Sequence, residues 1–441
     1  MQPLTDLFAK PGFRQAAASF GWLVGERAGR FVCGALVGIV VARYLGPARL
    51  GALSYGIASV TLIGFLPALG IDALLKRDLL KLPAAAPELM ATGLAVRLAA
   101  GLLTYLALWV ATAGGRLFTP EEAGLFRILG LLAFQPALYL PELWLQAHLH
   151  ARRTTLVQLA ALAVSSLWRI WLVAAGASLT TFAWVIVVEM ALCGAGYLWC
   201  SRQLGLRFGL PAARAATARR LLAEAWPLMF ANLAVMVYLR IDEVMLRHLA
   251  DVSEVGIYAA AVKLSELWYF LPVALGTSVL PALLRARERD PALYALRQQQ
   301  YYDLSAAVAY ALSLPTALAA PWLVRLAYGP AFAGAGPILA VHIWASIFVF
   351  LGVARGQWLV NEGFQKFYLA ATVAGAVANI LLNLALIPRW GGLGAAYATV
   401  VSYALAGWLA SYCHPAVRAT AAAQTRALLV PLLGWRHLRR P

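Results

Sequence analysis

About twelve stretches of this chain are each long and apolar enough to cross a lipid bilayer, and no motif limits the fold as strongly. A spanning helix needs roughly 20 mostly apolar residues. Runs of that kind lie near 20–42, 50–71, 89–113, 123–146, 155–176, 181–201, 223–248, 255–284, 300–325, 335–360, 366–388 and 393–413. Inside hydrocarbon every backbone N–H and C=O must find a partner within the protein, so only helices and closed barrels cross. A barrel would read as alternating segments of about ten residues, whereas these runs are about twice as long and largely apolar without alternation. The expectation is an all-α integral membrane protein of about 12 transmembrane helices. They divide evenly about a polar stretch, giving a cytoplasmic segment 1–19, an N-lobe 20–201, a basic linker 202–222, a C-lobe 223–413 and a basic tail 414–441.

The first run is read as a span and not as a cleavable leader, because it carries Glu26, Arg27 and Arg30 and passes at once into a second span. Cys33, Cys193, Cys200 and Cys413 lack CxxC spacing and lie in or beside apolar runs, so packing is expected for them, with no metal or disulfide.

A net charge of +17 would suit nucleic acid if the charges were gathered on one soluble face. Instead they follow topology. With the N-terminus on the cytoplasmic side, the segments there hold 22 Lys and Arg, including Arg202, Arg207, Arg214, Arg219 and Arg220, against six on the opposite side. That asymmetry follows the positive-inside rule, places both termini inside and predicts contact with membrane lipids but no nucleic-acid partner. The outer loops are short, the longest near 114–122.

A second pattern suggests duplication. The triplet Phe65-Leu66-Pro67 returns as Phe270-Leu271-Pro272, each proline lies sixteen residues after a glycine (Gly51, Gly256), and Arg43 or Arg247 precedes that glycine by eight or nine. One shift of 205 residues aligns both the glycines and the triplets. Repeats on this scale are common in transporters, whose halves move about a central site.

Eight basic residues fall inside the expected spans: Arg27, Arg30, Arg97, Arg127, Arg169, Arg240, Lys263 and Arg355. Glu26, Glu189, Glu224, Asp242, Glu243, Glu266 and Asp303 lie at similar depth, and Asp72 is expected to cap the second helix. An ionised group at mid-bilayer costs about 2.5–3.5 kcal/mol on insertion scales, so such groups face partners or a wet cavity. Glu26 with Arg30, Arg240 with Glu243 and Lys263 with Glu266 stand three or four apart, and intrahelical pairing is the plain reading of each. Their clustering on the first and seventh helices, and on the eighth, supports a polar lumen between the halves. His342, Arg355, Gln357, Asn361, Asn379 and Asn383 add to its polarity. Spare cations would suit an anionic passenger, since guanidinium forks match phosphate oxygens.

The segment Tyr238-Leu-Arg-Ile-Asp-Glu-Val-Met-Leu, with Val255-Gly-Ile-Tyr-Ala-Ala-Ala-Val-Lys-Leu-Ser-Glu-Leu-Trp-Tyr-Phe, resembles the second-half signature of Wzx-type polysaccharide repeat-unit flippases of the multidrug/oligosaccharidyl-lipid/polysaccharide exporter superfamily. Ala42-Arg-Tyr-Leu-Gly-Pro with Leu50-Gly-Ala-Leu-Ser-Tyr is similar to that family's first loop. Pro337-Ile-Leu, Trp344 and Asn361-Glu-Gly are similar to its tenth helix, and Asn383-Leu-Ala-Leu-Ile-Pro with Gly391-Gly-Leu-Gly-Ala-Ala to its last connection. The likeness runs over 20–413.

It implies two six-helix lobes with internal pseudo-symmetry around a V-shaped central cavity, and an undecaprenyl-diphosphate-linked glycan carried across the bacterial inner membrane for O-antigen, capsule or exopolysaccharide assembly. The cavity cations Arg27, Arg30, Arg97, Arg240, Lys263 and Arg355 would hold substrate. Glu26, Asp242 and Glu266 would serve H+ or Na+ coupling, with no other cofactor. A polymerase and a chain-length regulator are the implied protein partners. Two other readings are a cation-coupled exporter of the same superfamily and, from a different class, a membrane glycosyltransferase or polymerase. Spare arginines oppose the first, and the lack of sizeable outer loops opposes the second.

Overall fold

A computed structural model describes residues 11–114 and 119–433, with side chains over 33–114 and 119–431. Almost every described residue is helical and none is in a strand. Ten helical spans among the described residues are long and apolar enough to cross a membrane. Two of them, Cys33–Lys81 and Gln365–Cys413, run for 49 residues each. A straight helix of that length would be about 70 Å long, more than twice the hydrocarbon thickness of about 30 Å. Both therefore break, and both break at glycine: Gly46 has φ 71° and Gly391 has φ 54°, where a side chain would clash. Counting each broken span as two crossings gives the twelve expected from the sequence.

The chain folds into two compact units. One comprises Ile39–Ala259 with Ile380–Ala395, the other Met1–Gly38, Ala260–Asn379 and Ala396–Pro441. The first has a core in which Leu75, Leu79 and Met90 meet Leu140, Leu145 and Tyr197. The core of the second gathers Tyr301, Tyr302 and Ala306 with Phe350, Leu351 and Ala354.

The expected linker at 202–222 lies within the first unit and is tied down there. The Arg214 backbone N–H donates to Thr92 Oγ1 at 3.0 Å and Thr217 Oγ1 donates to Glu88 Oε1 at 2.5 Å. Arg220 meets the buried Asp78 carboxylate at 2.9 Å. Leu206 and Leu221 join the apolar core on either side. The stretch read as a basic tail also packs in its first part, where helix Arg418–Leu428 buries Ala421, Gln424 and Ala427 in the second unit.

The repeated triplets mark the same local event twice. Each opens a helix after a break, Phe65–Ala68 in one case and Phe270–Arg289 in the other, and each buries its proline. The earlier breaks correspond as well, since Gly46 shifted by 205 falls on Asp251. There the glycine's left-handed backbone is replaced by a carboxylate that caps the next turn, Asp251 Oδ2 accepting from the Ser253 N–H at 3.2 Å.

Candidate functional site

Six of the nine residues singled out from the sequence have described side chains, three in each unit. The side chains of Glu26, Arg27 and Arg30 lie outside the described residues. Arg97 and Arg240 belong to the first unit, with Asp242; Lys263, Glu266 and Arg355 belong to the second.

Arg97 is 2% exposed and committed to scaffold contacts. It pairs with Asp72 and donates from Nη1 to the Pro136 carbonyl at 2.8 Å. Asp72, expected as a helix cap, instead occupies the first turn of helix Asp72–Lys81, makes no capping bond and turns its carboxylate to Arg97. The carboxylate takes the pairing because a guanidinium buried in helix Ala86–Ala113 would otherwise be a costly lone charge. Arg355 is equally buried and donates to Ser411 Oγ at 2.8 Å. Arg240 is more open, with 37% of its side chain exposed, and reaches Glu243 at 3.4 Å, the i,i+3 pairing read from the sequence. Lys263 is exposed and Glu266 half-buried on helix Val252–Glu266.

Asp242 is 6% exposed and sits in a polar knot. Tyr258 donates its hydroxyl to Oδ2 at 2.6 Å, and Asn383 donates from Nδ2 to Oδ1 at 2.6 Å. Two neutral donors thus address the two carboxylate oxygens, bringing together residues separated by 16 and 141 positions. In the second unit Asn379 donates to Ser402 Oγ at 3.4 Å, and the buried His342 faces Ser265 Oγ at 2.9 Å.

A further cluster in the first unit was not anticipated. Thr119 and Glu122 form a capping box at the start of helix Pro120–Leu129, with Oε2 of Glu122 accepting from Thr119 N and Oγ1, both at 2.9 Å. Its other oxygen, Oε1, accepts a forked pair from Arg247 Nε at 2.9 Å and Nη2 at 2.8 Å. The Arg247 guanidinium carbon stands 6.0 Å from the centre of the Tyr55 ring, and Tyr55 Oη meets His248 Nε2 at 3.3 Å. Arg240 and Arg247, seven apart on one helix, therefore differ: Arg240 pairs along its helix with Glu243, and Arg247 turns to a residue 125 positions earlier. The signal that could have exposed Glu122 is the Thr-Pro-Glu-Glu start itself, a capping-box pattern at 119–122.

Beside this cluster the two repeat-related glycines touch. A Cβ added to Gly51 would lie 1.8 Å from the Val252 carbonyl oxygen and 2.9 Å from Gly256 N. One added to Gly256 would lie 1.9 Å from the Pro47 carbonyl oxygen and 2.9 Å from Gly51 N. Pro47 and Val252 are themselves 205 apart, so the contact is reciprocal, as across a two-fold axis. Nearby Glu254 Oε2 accepts from the Gly392 N–H at 2.9 Å, just past the break at Gly391.

The fold is that of a known transporter class. The chain is similar to the lipid II flippase MurJ in an inward closed conformation over 92% of this chain and 91% of that one, with a TM-score of 0.72 and 12% identity. It is also similar to a multidrug resistance MATE family transporter of the MOP superfamily, in an inward-facing conformation, over 91% and 94% of the two chains, with a TM-score of 0.70 and 13% identity. At such identities the likeness is one of architecture. Sequence carries it further: the chain belongs to the polysaccharide biosynthesis protein family, whose profile it matches over residues 17–287. A probable flippase, AglR, of Haloferax volcanii is 31% identical over 192 residues, a match that covers 42% of this chain and 39% of the relative. The chain is thus a multi-pass membrane protein of polysaccharide biosynthesis with a transporter fold.

Proposed function

We propose that the protein is a flippase that moves a lipid-linked oligosaccharide repeat unit, anchored through a diphosphate to undecaprenol, from the inner to the outer leaflet of the bacterial cytoplasmic membrane. Both termini lie in the cytoplasm, and no bond is made or broken. The observation that carries this reading is a family match over residues 17–287 on a chain whose connections between spans are too short to hold a separate catalytic domain.

The glycan-diphosphate headgroup enters a polar route while the prenyl tail stays in lipid. Arg27, Arg30, Arg240, Lys263 and Arg355 attract the phosphates. A guanidinium such as Arg240, with more than a third of its side chain exposed and 3.4 Å from Glu243, can exchange a partner for a phosphate oxygen. Arg97 serves the scaffold that keeps the route in shape. Glu26, Asp242 and Glu266 are the carboxylates through which H+ or Na+ drives the cycle. Of these, Asp242 has the geometry for it, since Tyr258 and Asn383 can turn to release its oxygens to a small cation or a proton. A polymerase and a chain-length regulator receive the exported unit.

The test is polymer export in cells that depend on this protein. Arg240→Ala and Arg355→Ala are expected to lower export about tenfold or more, with unchanged abundance in the membrane. Full export by both variants would remove the diphosphate clamp. Collapse of the ion gradients is expected to stop flipping in reconstituted vesicles, and flipping that persists would remove the coupling role of Asp242.

A further inference from the structure

We propose that the contact of Pro47–Gly51 with Val252–Gly256, held by the Glu122–Arg247 pair, is a latch that seals one end of the translocation route and must part for the passenger to leave. It rests on the transporter reading and names the device that gates it.

Three observations converge on the latch. First, its place is fixed within the first unit. Helix Ala215–Leu249 binds the linker end of the unit through Thr217 and Arg220, and reaches Glu122 some thirty residues later through Arg247. At 1.5 Å per residue those ends are about 45 Å apart, the full thickness of a bilayer with its headgroups. In the orientation set by the positive charges, the latch is on the outer face. Second, the segments it joins come from different halves of the duplicated sequence. Residues 47–55 and 119–126 precede the 202–222 stretch, while 247–256 and 391–392 follow it. Third, the bonding is separable by design of its parts. The glycine crossing itself brings main chain against main chain, each missing Cβ making room for the other segment's backbone, so the crossing point adds no side-chain bond of its own.

The ion pair supplies the hold that bare glycines lack. The capping box fixes Oε2 of Glu122 and so aims Oε1 at the arginine fork. Glu122 is buried and Arg247 keeps 31% of its side chain exposed. The pair is therefore shielded enough to be strong, yet water can reach the arginine when it lets go.

The test reads access and needs no passenger, so it can fail while the flippase reading stands. In a chain with Cys33, Cys193, Cys200 and Cys413 replaced by Ala, Ser59→Cys places a thiol two turns deeper than Gly51 on the same helix face. Right-side-out vesicles are treated with a membrane-impermeant maleimide. The parent is expected to label slowly. Glu122→Gln and Arg247→Met should each label about tenfold faster, and the double variant no faster than either, because both remove one bond. Gly256→Leu, which wedges the crossing, should match them; Glu122→Gln is nearly isosteric and keeps the test open if the leucine variant does not fold. Labelling as fast in the parent as in the variants overturns the latch. So does a double variant whose effect is the product of the two single effects.

Discussion

The two ends of helix Ala215–Leu249 are both held by arginine–carboxylate pairs, yet the pairs differ in kind. At the linker end Asp78, 4% exposed, is shared by Arg77 at 2.8 Å and Arg220 at 2.9 Å, whose side chains are 41% and 42% exposed, and Arg77 also reaches Glu224. No single bond there is decisive, since water solvates the arginines and a second cation covers for the loss of the first. At the far end one buried carboxylate takes a forked pair from one arginine, and its second oxygen is already used by the cap. Loss of Arg247 there leaves an oxygen of the buried Glu122 carboxylate unmet, and loss of Glu122 removes the helix cap together with the pair. The redundant end behaves as an anchor and the single-bond end as something that can release.

That contrast can be broken most forcefully between the ends. Gly70 has φ 66°, and a Cβ there would come within 2.5 Å of Met229 N, so the helix lies backbone to backbone against it. Gly70→Ala is expected to cost roughly 3 kcal/mol from left-handed strain and overpacking together, read as a large drop in the thermal unfolding midpoint in detergent. Glu122→Ala comes next at about 2 kcal/mol, for a lost cap and an orphaned arginine. Arg220→Ala should cost less than about 1 kcal/mol. A reversed order for the last two, measured in the same detergent, would show that the linker end carries the load after all.

How much of this was legible in the sequence depended on the range of the interaction. Span number followed from apolar run length, because a bilayer leaves the backbone no other solution. The i,i+3 pair of Arg240 and Glu243 followed from helical spacing, whereas the FLP repeat suggested duplication and only the fold shows that both triplets open helices. Partners distant in the chain were not legible. Arg97 reads as a spare cavity cation until Asp72, 25 residues away, is seen to hold it, and Arg247 reads only as part of the repeat until Glu122 is found. Nor did composition reveal that the 202–222 stretch is docked, because its arginines mark a membrane side whether or not its backbone is bonded. Repeat spacing aligned Gly51 with Gly256, but only the fold shows that equivalent positions in the two copies meet each other.

Helix Arg418–Leu428 has a consequence for how the protein is made. Gln424 is fully buried and donates to the Leu351 carbonyl at 3.3 Å and the Gly407 carbonyl at 3.0 Å, while Tyr310 donates to the Leu428 carbonyl at 3.1 Å. Its seat is therefore synthesised and inserted before the piece that fills it leaves the ribosome. Docking of this helix thus follows insertion of the spans that seat it, and Gln424 then supplies a donor to the Gly407 carbonyl at the end of helix Gln365–Gly407.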